Sequence, residues 1–491
     1  MDRDLMADNL TKKPFVLDVD GTFLRTDMLF ESFWGGLGKD PIQTIRTSLA
    51  HFRDRARLKA ELAKIAALRT DLLPVAPEVL EVARAAQAEG REVILASASD
   101  QSVVAQLASD YDLSDRIFAS DGHTNLKGDA KADALVAAFG EGGFHYAGNA
   151  TVDRAVWDHA DAALVVGDSR SAKALEAQGK PVTLIEGGWR MKDVLKSFRP
   201  HQWVKNVLLF VPMIAGHAFD LNTLLLAILG VISFSAAASS IYLVNDLLDL
   251  EADRLHVKKC KRPFASGAVP IHVGMVSFFV LATIALGVAA YLGWAFFGVV
   301  SLYMALSLAY SLKLKRMRWV DIAVLASLYT LRVVAGAAAT DIHVSGYLLV
   351  FIFPVFLALG CVKRLTELTL ATSDERLPGR GYGRPDRPDL LNVASLGVAA
   401  ALVAFFLYSF TEQALSLYKT QWLMWVAGLP LAWWMIRMVR LGWHGKQDYD
   451  PIVFAMKDKR GIGLMLMTIS IMFYAAGLWQ EWFGVGLPIQ N

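Results

Sequence analysis

Cysteine is almost absent from this chain. Cys260 lies in a basic loop and Cys361 at the end of an apolar segment, and they are the only two in 491 residues. Neither has a metal-ligand spacing, so no disulfide framework or cysteine-based metal centre is expected. The first residues, 1–14, lack the apolar core of a signal peptide, and export of the N-terminal part is not expected. An excess of one charge sign is also lacking. The net charge of +2 identifies no partner by itself, and nucleic acid is not among those expected. Long apolar runs are missing from residues 1 to about 195, which read as an ordinary soluble protein.

From about residue 203 the pattern reverses. A helix needs about 20 apolar residues to cross the hydrocarbon core. Nine candidate spans follow, near 204–218, 222–244, 272–292, 295–312, 319–338, 346–362, 391–409, 420–437 and 462–482. The loops after the even-numbered spans are rich in Lys and Arg, for example Arg254, Lys258, Lys259, Lys261 and Arg262 after the second. The opposite loops hold only Lys419. Positive charge marks the cytoplasmic side. The expectation is a multi-pass protein of the inner (cytoplasmic) membrane, its N-terminal domain in the cytoplasm and its C-terminus outside.

The stretch Asn245-Asp246-Leu247-Leu248-Asp249-Leu250-Glu251-Ala252-Asp253 ends the second span. Asp246, Asp249 and Asp253 stand at i, i+3 and i+7, one face of a helix. Three carboxylates there need a counter-charge, and Mg²⁺, which takes hard oxygen ligands together with phosphate oxygens, is the natural one. Held so, it would neutralise a departing pyrophosphate. The alternative is a solvated acidic helix end, but acidic residues at a membrane span are costly and usually functional.

This motif, with Asp253-Arg254-x-His256 and Arg262-Pro263-x-Ala265-x-Gly267 after it, resembles the first aspartate motif of the UbiA prenyltransferase superfamily. The resemblance covers roughly residues 198–485. It implies an all-α domain of nine transmembrane helices and Mg²⁺-assisted transfer involving a polyprenyl substrate, with Asn245, Asp246, Asp249 and Asp253 at the metal. Aromatic prenyltransferases of this superfamily carry a second aspartate-rich motif after the sixth span. Here that place reads Cys361-Val362-Lys363-Arg364-Leu365-Thr366-Glu367-Leu368. A Lys-Arg pair contacts phosphate directly. The sequence is similar instead to the decaprenyl-phosphate phosphoribosyltransferase branch, through Arg199-Pro200-x-Gln202-Trp203-Val204-Lys205-Asn206, Tyr310-Ser311-x-Lys313-x-Lys315, Arg332-x-x-Ala335-Gly336 and Lys363-Arg364-x-x-Glu367. That branch implies phosphoribosyl pyrophosphate as donor and a membrane polyprenyl phosphate as acceptor. It implies substrate contacts from Lys205, Asn206, Arg262, Tyr310, Lys313, Asp321, Arg332, Lys363, Arg364 and Glu367. For Lys205, Lys313 and Lys315 the alternative is a positive-inside anchor. For Arg332, three turns from Asp321 on nearly the same face, it is a structural tie to that carboxylate.

In the soluble part, the strand Phe15-Val-Leu-Asp18 runs into Asp18-x-Asp20-Gly21-Thr22, and carboxylates at i and i+2 leave the strand end together. This is similar to the haloacid dehalogenase phosphatase superfamily over about residues 14–188, which implies a doubly wound α/β domain (1–195) with a helical cap (about 25–90). Asp18 would be the nucleophile, Asp20 the general acid/base, Ser97 and Lys131 the phosphate-binding groups, and Asn149 and Asp153 ligands to Mg²⁺ beside Asp18 and Asp20. An aspartyl-phosphate route is covalent catalysis. Asn149 stands where the family has Asp, so a degenerate or regulatory domain is the alternative. The two halves together suggest phosphoribosyl transfer (residues 196–491) followed by removal of the 5-phosphate. Competing readings are transfer of an isoprenyl group to an aromatic acceptor, and a non-enzymatic scaffold or transporter. Chain length of the lipid and oligomeric state are not legible.

Overall fold

The computed structural model describes residues 12–343, 345–377, 380–447 and 450–484. Residues 1–11, on which most of the signal-peptide reading rests, lie outside them. The chain divides into two compact units, Met1–Phe198 with Tyr242–Phe279, and Arg199–Ile241 with Val280–Asn491. The acidic stretch and the basic loop after it therefore fall in the first unit.

The first unit contains one six-stranded parallel sheet, ordered β3-β2-β1-β4-β5-β6. Its strands are β1 (Phe15–Asp18), β2 (Val93–Asp100), β3 (Phe118–Ser120), β4 (His145–Gly148), β5 (Ala162–Val166) and β6 (Val182–Ile185). Every β1 residue is buried, as in strands covered on both faces. Phe15 and Leu17 pack with Val79, Ala83, Val104 and Leu107 on one side. Val16 packs with Ala132, Leu135, Trp157 and Leu175 on the other. The covering helices are α4 (Pro77–Ala88), α5 (Gln101–Asp110), α6 (Asp129–Phe139), α7 (Arg154–His159) and α8 (Ser169–Ala177), and α9 (Met191–Ser197) follows β6.

Between β1 and α4 lie α1 (Met28–Lys39), α2 (Pro41–His51) and α3 (Arg55–Ala66). Aspartate caps divide this run into three. Asp27 accepts from the amides of Leu29 and Phe30, Asp40 from Gln43 with Pro41 at the first turn, and Asp54 from Arg57. Such caps satisfy the orphan amides of a helix start.

The remaining helices are α10 (Val211–Ala215), α11 (Leu221–Leu248), α12 (Leu250–Leu255), α13 (Ile271–Leu292), α14 (Trp294–Leu312), α15 (Arg318–Thr340), α16 (Gly346–Thr369), α17 (Arg387–Tyr408), α18 (Glu412–Leu417), α19 (Gln421–Trp443), α20 (Pro451–Ala455), α21 (Lys459–Ala476) and α22 (Leu478–Phe483). Among the described residues seven helices are long and apolar enough to cross a membrane: α11, α13, α14, α15, α16, α17 and α19. Their outward faces carry large apolar side chains such as Phe279, Trp294, Leu302, Leu396, Leu429 and Trp433, the pattern of a multi-pass membrane protein. Two expected spans differ in form. Residues 204–218 are a 3₁₀ helix (Pro200–Phe210) running into the short α10. Residues 462–482 are α21 and α22, broken at Gly477 with φ +84°.

The core of the second unit lies among α15, α16, α17 and α19, through Tyr329, Phe356, Leu365, Leu390 and Met438. Gly336 has a packing reason. A Cβ there would stand 2.0 Å from the Leu209 carbonyl oxygen, so a side chain would push the 3₁₀ helix off α15.

Candidate functional site

In an open parallel sheet, ligands bind beyond the strand C-termini where the strand order reverses. Here that point lies between β1 and β4, and Asp18 ends β1 beside it. Asp18 is buried, and its Oδ1 receives the Lys131 ammonium at 2.6 Å. Lys131, itself 4% exposed, also donates to Tyr146 OH at 3.0 Å and to the Ala96 carbonyl at 3.3 Å. Burial pushes the Asp18 carboxyl up to about 7, with Asp153 and Asp20 adding to the effect and Lys131 opposing it. Asp20 is held by three donors: the Met28 amide at 2.8 Å, Ser99 Oγ at 2.8 Å and Ser97 Oγ at 3.2 Å. Ser97 is thus brought to the strand end and turned onto Asp20. Gly21, at φ +80°, leaves room for Asn149, whose Nδ2 would lie 2.2 Å from a Cβ. Asp153 accepts from the amides of Asn149 and Ala150 at 3.1 and 3.0 Å and from Tyr146 OH at 3.0 Å.

The structure therefore gathers Asp18, Asp20, Ser97, Lys131, Asn149 and Asp153 around one strand end. Asp18, Asp20, Asn149 and Asp153 carry hard oxygens of the kind Mg²⁺ takes, and Asp20 and Asp153 are each already engaged by three donors. Sequence reasoning missed Ser99, Tyr146 and Lys59. Lys59 enters from α3, donates to the Ala98 carbonyl and lies 3.1 Å from Asn125 Oδ1. Burial lowers its pKa, with Asp20 and Asp27 opposing.

The second constellation also belongs to the first unit. The helix across 246–253 is interrupted at one residue. α11 ends at Leu248, and Asp249 is the N-cap of α12 with φ −100° and ψ 15°. The i→i+4 hydrogen bonds nevertheless persist across the break, from the Asp249 amide to Asn245 O and from the Asp253 amide to Asp249 O. Helical spacing is kept, and Asp246 and Asp253, each 2% exposed, still converge. Their shared partner is Arg262 Nη1, 3.0 Å from Asp246 Oδ1 and 2.6 Å from Asp253 Oδ2. Burial raises the Asp253 pKa, against Arg262 and with Asp246. Among the described residues no three His, Cys, Asp or Glu side chains form a closed metal cluster. The chemistry of Mg²⁺ nonetheless fits here, because one point lies within 3.0 Å of two buried carboxylates and a cation already sits at it. Neighbouring Arg254 is clamped by Glu31 of α1, with Nη1 3.0 Å from Oε2 and Nη2 bonded to Oε1. Gly267, at φ +70°, packs where a Cβ would stand 2.6 Å from Arg25 Cβ.

In the second unit, Arg364 is fully buried and its partners are internal. It bonds Asp321 at 2.6 and 2.8 Å, Tyr310 OH at 2.9 Å, and Glu367. Arg380 reaches Tyr310 OH at 3.1 Å. Asp321 thus pairs with Arg364 rather than Arg332. Arg332 instead donates to Asn206 Oδ1 at 3.2 Å, Tyr303 OH at 3.0 Å and the Leu328 carbonyl at 2.6 Å. Its guanidinium also lies over the rings of Phe234, Tyr303 and Tyr329. Asn206 donates to Ser235 Oγ at 2.8 Å. Lys205 is buried on Asp450, which also accepts from Tyr329 OH at 3.3 Å. Burial alone would raise the Asp450 carboxyl, but Lys205 and Lys363 outweigh it and hold it at about 2. Lys313 is exposed at the C-cap of α14. Asp450 escaped the sequence reading. Asp450-Pro451 is legible as a helix cap, but nothing local to it announces Lys205 as a partner.

A profile of the UbiA prenyltransferase family matches residues 207–457. The uncharacterized protein y4nM of Sinorhizobium fredii is 35% identical over 470 residues, 94% of this chain and 91% of that protein. Nodulation protein NoeC of Azorhizobium caulinodans is 34% identical over 285 residues, 56% of this chain and 92% of that protein. The decaprenyl-phosphate phosphoribosyltransferase of Mycolicibacterium smegmatis is 31% identical over 276 residues, 55% of this chain and 83% of that enzyme. With its paired carboxylates at the end of a membrane-crossing helix and this match, the chain belongs to the UbiA prenyltransferase family.

Proposed function

We propose that this chain transfers phosphoribose from phosphoribosyl pyrophosphate to a membrane polyprenyl phosphate. We further propose that its N-terminal unit, a haloacid dehalogenase-like domain, removes the 5-phosphate from the product. The observation that carries the donor assignment is Arg364. Aromatic prenyltransferases place acidic metal ligands in this region, whereas here a buried arginine is locked to Asp321 and Glu367. The relatives named decaprenyl-phosphate phosphoribosyltransferase support the same reading.

In the transfer, an oxygen of the polyprenyl phosphate attacks the anomeric carbon. The bond from that carbon to pyrophosphate breaks, and the leaving group keeps the electron pair. Mg²⁺ bound by Asn245, Asp246, Asp249 and Asp253 would neutralise that leaving charge. Arg262, which bridges Asp246 and Asp253, would give up those carboxylates to the ion and bind phosphate oxygens instead. In the second unit, Lys205, Lys313 and Lys363 act as phosphate-binding cations, and Asn206, Tyr310, Asp321, Arg332, Arg364 and Glu367 hold their framework. In the phosphatase step, Asp18 attacks the 5-phosphate and Asp20 donates a proton to the departing ribose oxygen. Asp20 then takes a proton from the water that cleaves the aspartyl-phosphate. Lys131 balances the phosphate charge.

The proposal includes nine crossings. The 3₁₀ segment Pro200–Phe210 rises about 2 Å per residue, so with α10 it covers more depth than its length as an α-helix suggests. α21 with α22 supplies the ninth. The N-terminal domain then faces the cytoplasm of an inner-membrane protein. Purified chain incubated with labelled phosphoribosyl pyrophosphate, polyprenyl phosphate and Mg²⁺ should form labelled lipid. Transfer of an isoprenyl group to an aromatic acceptor, without consumption of phosphoribosyl pyrophosphate, would refute the donor assignment.

A further inference from the structure

Helix α2 is built inside out. Ile42, Ile45 and Leu49 are 77%, 50% and 72% exposed, and Phe52, its C-cap, is 63% exposed. At about 100° per residue these four side chains fall within an arc of roughly 80°. The opposite arc carries Thr44, Thr47, Ser48 and His51, and Thr44 is the one buried residue of the helix. The polar side is the one packed on the protein. Thr44 Oγ1 would meet a Cβ at Gly36 of α1 at 2.8 Å, and Thr44 Oγ1 and Ser48 Oγ satisfy themselves on the carbonyls of Asp40 and Thr44. A water-facing helix shows the reverse arrangement.

Two further observations say what covers this face. The apolar arc is flanked by exposed Arg46 and Arg53, and Arg55 and Arg57 follow in α3. The Arg53 guanidinium lies over the Phe52 ring at 5.3 Å. In addition, α1, which leads into α2, abuts the ends of two membrane-crossing helices within the same unit. A Cβ at Gly38 would stand 3.4 Å from the carbonyl oxygen of Leu248, the last residue of α11. The Phe30 ring lies 6.4 Å from His272 at the start of α13. Lys39 ends α1 and Pro41 begins α2, so the inverted helix starts close to the end of α11.

We propose that α2 is an interfacial helix, with Ile42, Ile45, Leu49 and Phe52 seated among lipid chains and the arginines on anionic headgroups. Apolar residues on one side with basic residues at the margin are what such helices present to a membrane surface. The contact holds the run of helices that joins β1 to α4 at the bilayer surface. It does not depend on the reaction assigned above.

The test uses the full chain with Cys260→Ser, reconstituted in nanodiscs of phosphatidylcholine and phosphatidylglycerol. Nitroxides are placed by Ile45→Cys, Leu49→Cys and, as the control, Gln43→Cys. All three positions are exposed, so labelling should not perturb folding. Power saturation should show the labels at 45 and 49 open to oxygen and closed to a water-soluble nickel chelate, and the label at 43 open to nickel. Adding Leu49→Asp should open the label at 45 to nickel. Equal nickel access at 43, 45 and 49 overturns the proposal. So does protection that comes with spin–spin broadening between copies and no gain in oxygen access, because the face would then cover a second copy of the chain.

Discussion

Replacing Glu31 by Gln should loosen the acidic segment without unfolding the sheet. The Arg254 and Glu31 side chains are 8% and 2% exposed. Two guanidinium nitrogens meet the two carboxylate oxygens, Thr26 Oγ1 donates to Oε1 at 2.7 Å, and Arg254 Nε donates to Ala265 O at 3.1 Å. Removing one partner of a buried ion pair costs about 3–5 kcal/mol, because the other charge stays desolvated and unpaired. Gln keeps one acceptor for Thr26 or Arg254, which puts the expected cost near the low end, about 3 kcal/mol. At about 1.4 kcal/mol per tenfold, the local opening constant should rise by roughly a hundredfold. Amide hydrogen exchange across 250–267 reads this directly, through the Asp253 amide bonded to Asp249 O and the Gly267 amide bonded to Phe264 O. Amides of β1, β2 and β4 serve as the internal control. Arg254→Gln should have a similar effect, and the double variant should cost less than the sum, since no unpaired charge is left. Unchanged exchange across 250–267 in Glu31→Gln, or strict additivity in the double variant, would refute the reasoning.

Asp246→Asn and Asp249→Asn should each lower lipid-linked phosphoribose formation about 10²–10³-fold at fixed Mg²⁺, measured as label entering the lipid phase; near-wild-type turnover would remove the metal assignment. Asp450→Asn leaves the Lys205 ammonium buried without its carboxylate, and should destabilise the second unit by about 3 kcal/mol, seen as a lower thermal midpoint in detergent. Cysteines introduced at Lys261 and Ser416 in a Cys260→Ser chain should be labelled from opposite sides of sealed vesicles, and labelling from one side would defeat the nine-crossing topology. Asp18→Asn should leave the phosphorylated lipid as the end product of the full chain, identified by mass, whereas complete dephosphorylation in that variant would remove Asp18 as nucleophile.

What was legible in the sequence followed from local rules. Apolar runs and basic loops mark the membrane helices, and Phe15-Val-Leu-Asp18 followed by Asp20-Gly21 marks a strand ending in paired carboxylates. Those signals need no knowledge of distant neighbours. Three features were not legible. The break at Asp249 leaves i→i+4 hydrogen bonds intact on both sides, so the residue spacing carries no trace of it. The partners of Asp321 and Arg332 were open to a same-face reading, yet Asp321 bonds Arg364 of α16 and Arg332 bonds Asn206 and Tyr303. Helix periodicity describes one helix, whereas a buried charge takes whichever opposite group the packing brings nearest. The third is α2, whose apolar arc at 42, 45, 49 and 52 reads from periodicity alone as a core-facing stripe. The exposure of those four side chains, with Thr44 buried against Gly36, shows that the stripe faces away from the protein.

The placement of the acidic segment bears on how this chain is organised. The family profile matches residues 207–457, but residues 242–279 within it pack as part of the first unit. Glu31 clamps Arg254, Arg25 closes over Gly267, and Thr70–Leu72 lies against α12. The helix α1 that supplies Glu31 also donates its Met28 amide to Asp20, and Thr26 joins the two ends, its carbonyl accepting from Gly21 and its hydroxyl donating to Glu31. One short stretch, residues 20–31, therefore touches both the carboxylate at the sheet edge and the arginine beside Asp253. Two independently folded segments joined by a tether would need no such stretch. An arrangement in which residues 20–31 shape the family's acidic motif uses it, and the relative that is similar over nearly the whole of this chain is the natural protein in which to look for the same coupling.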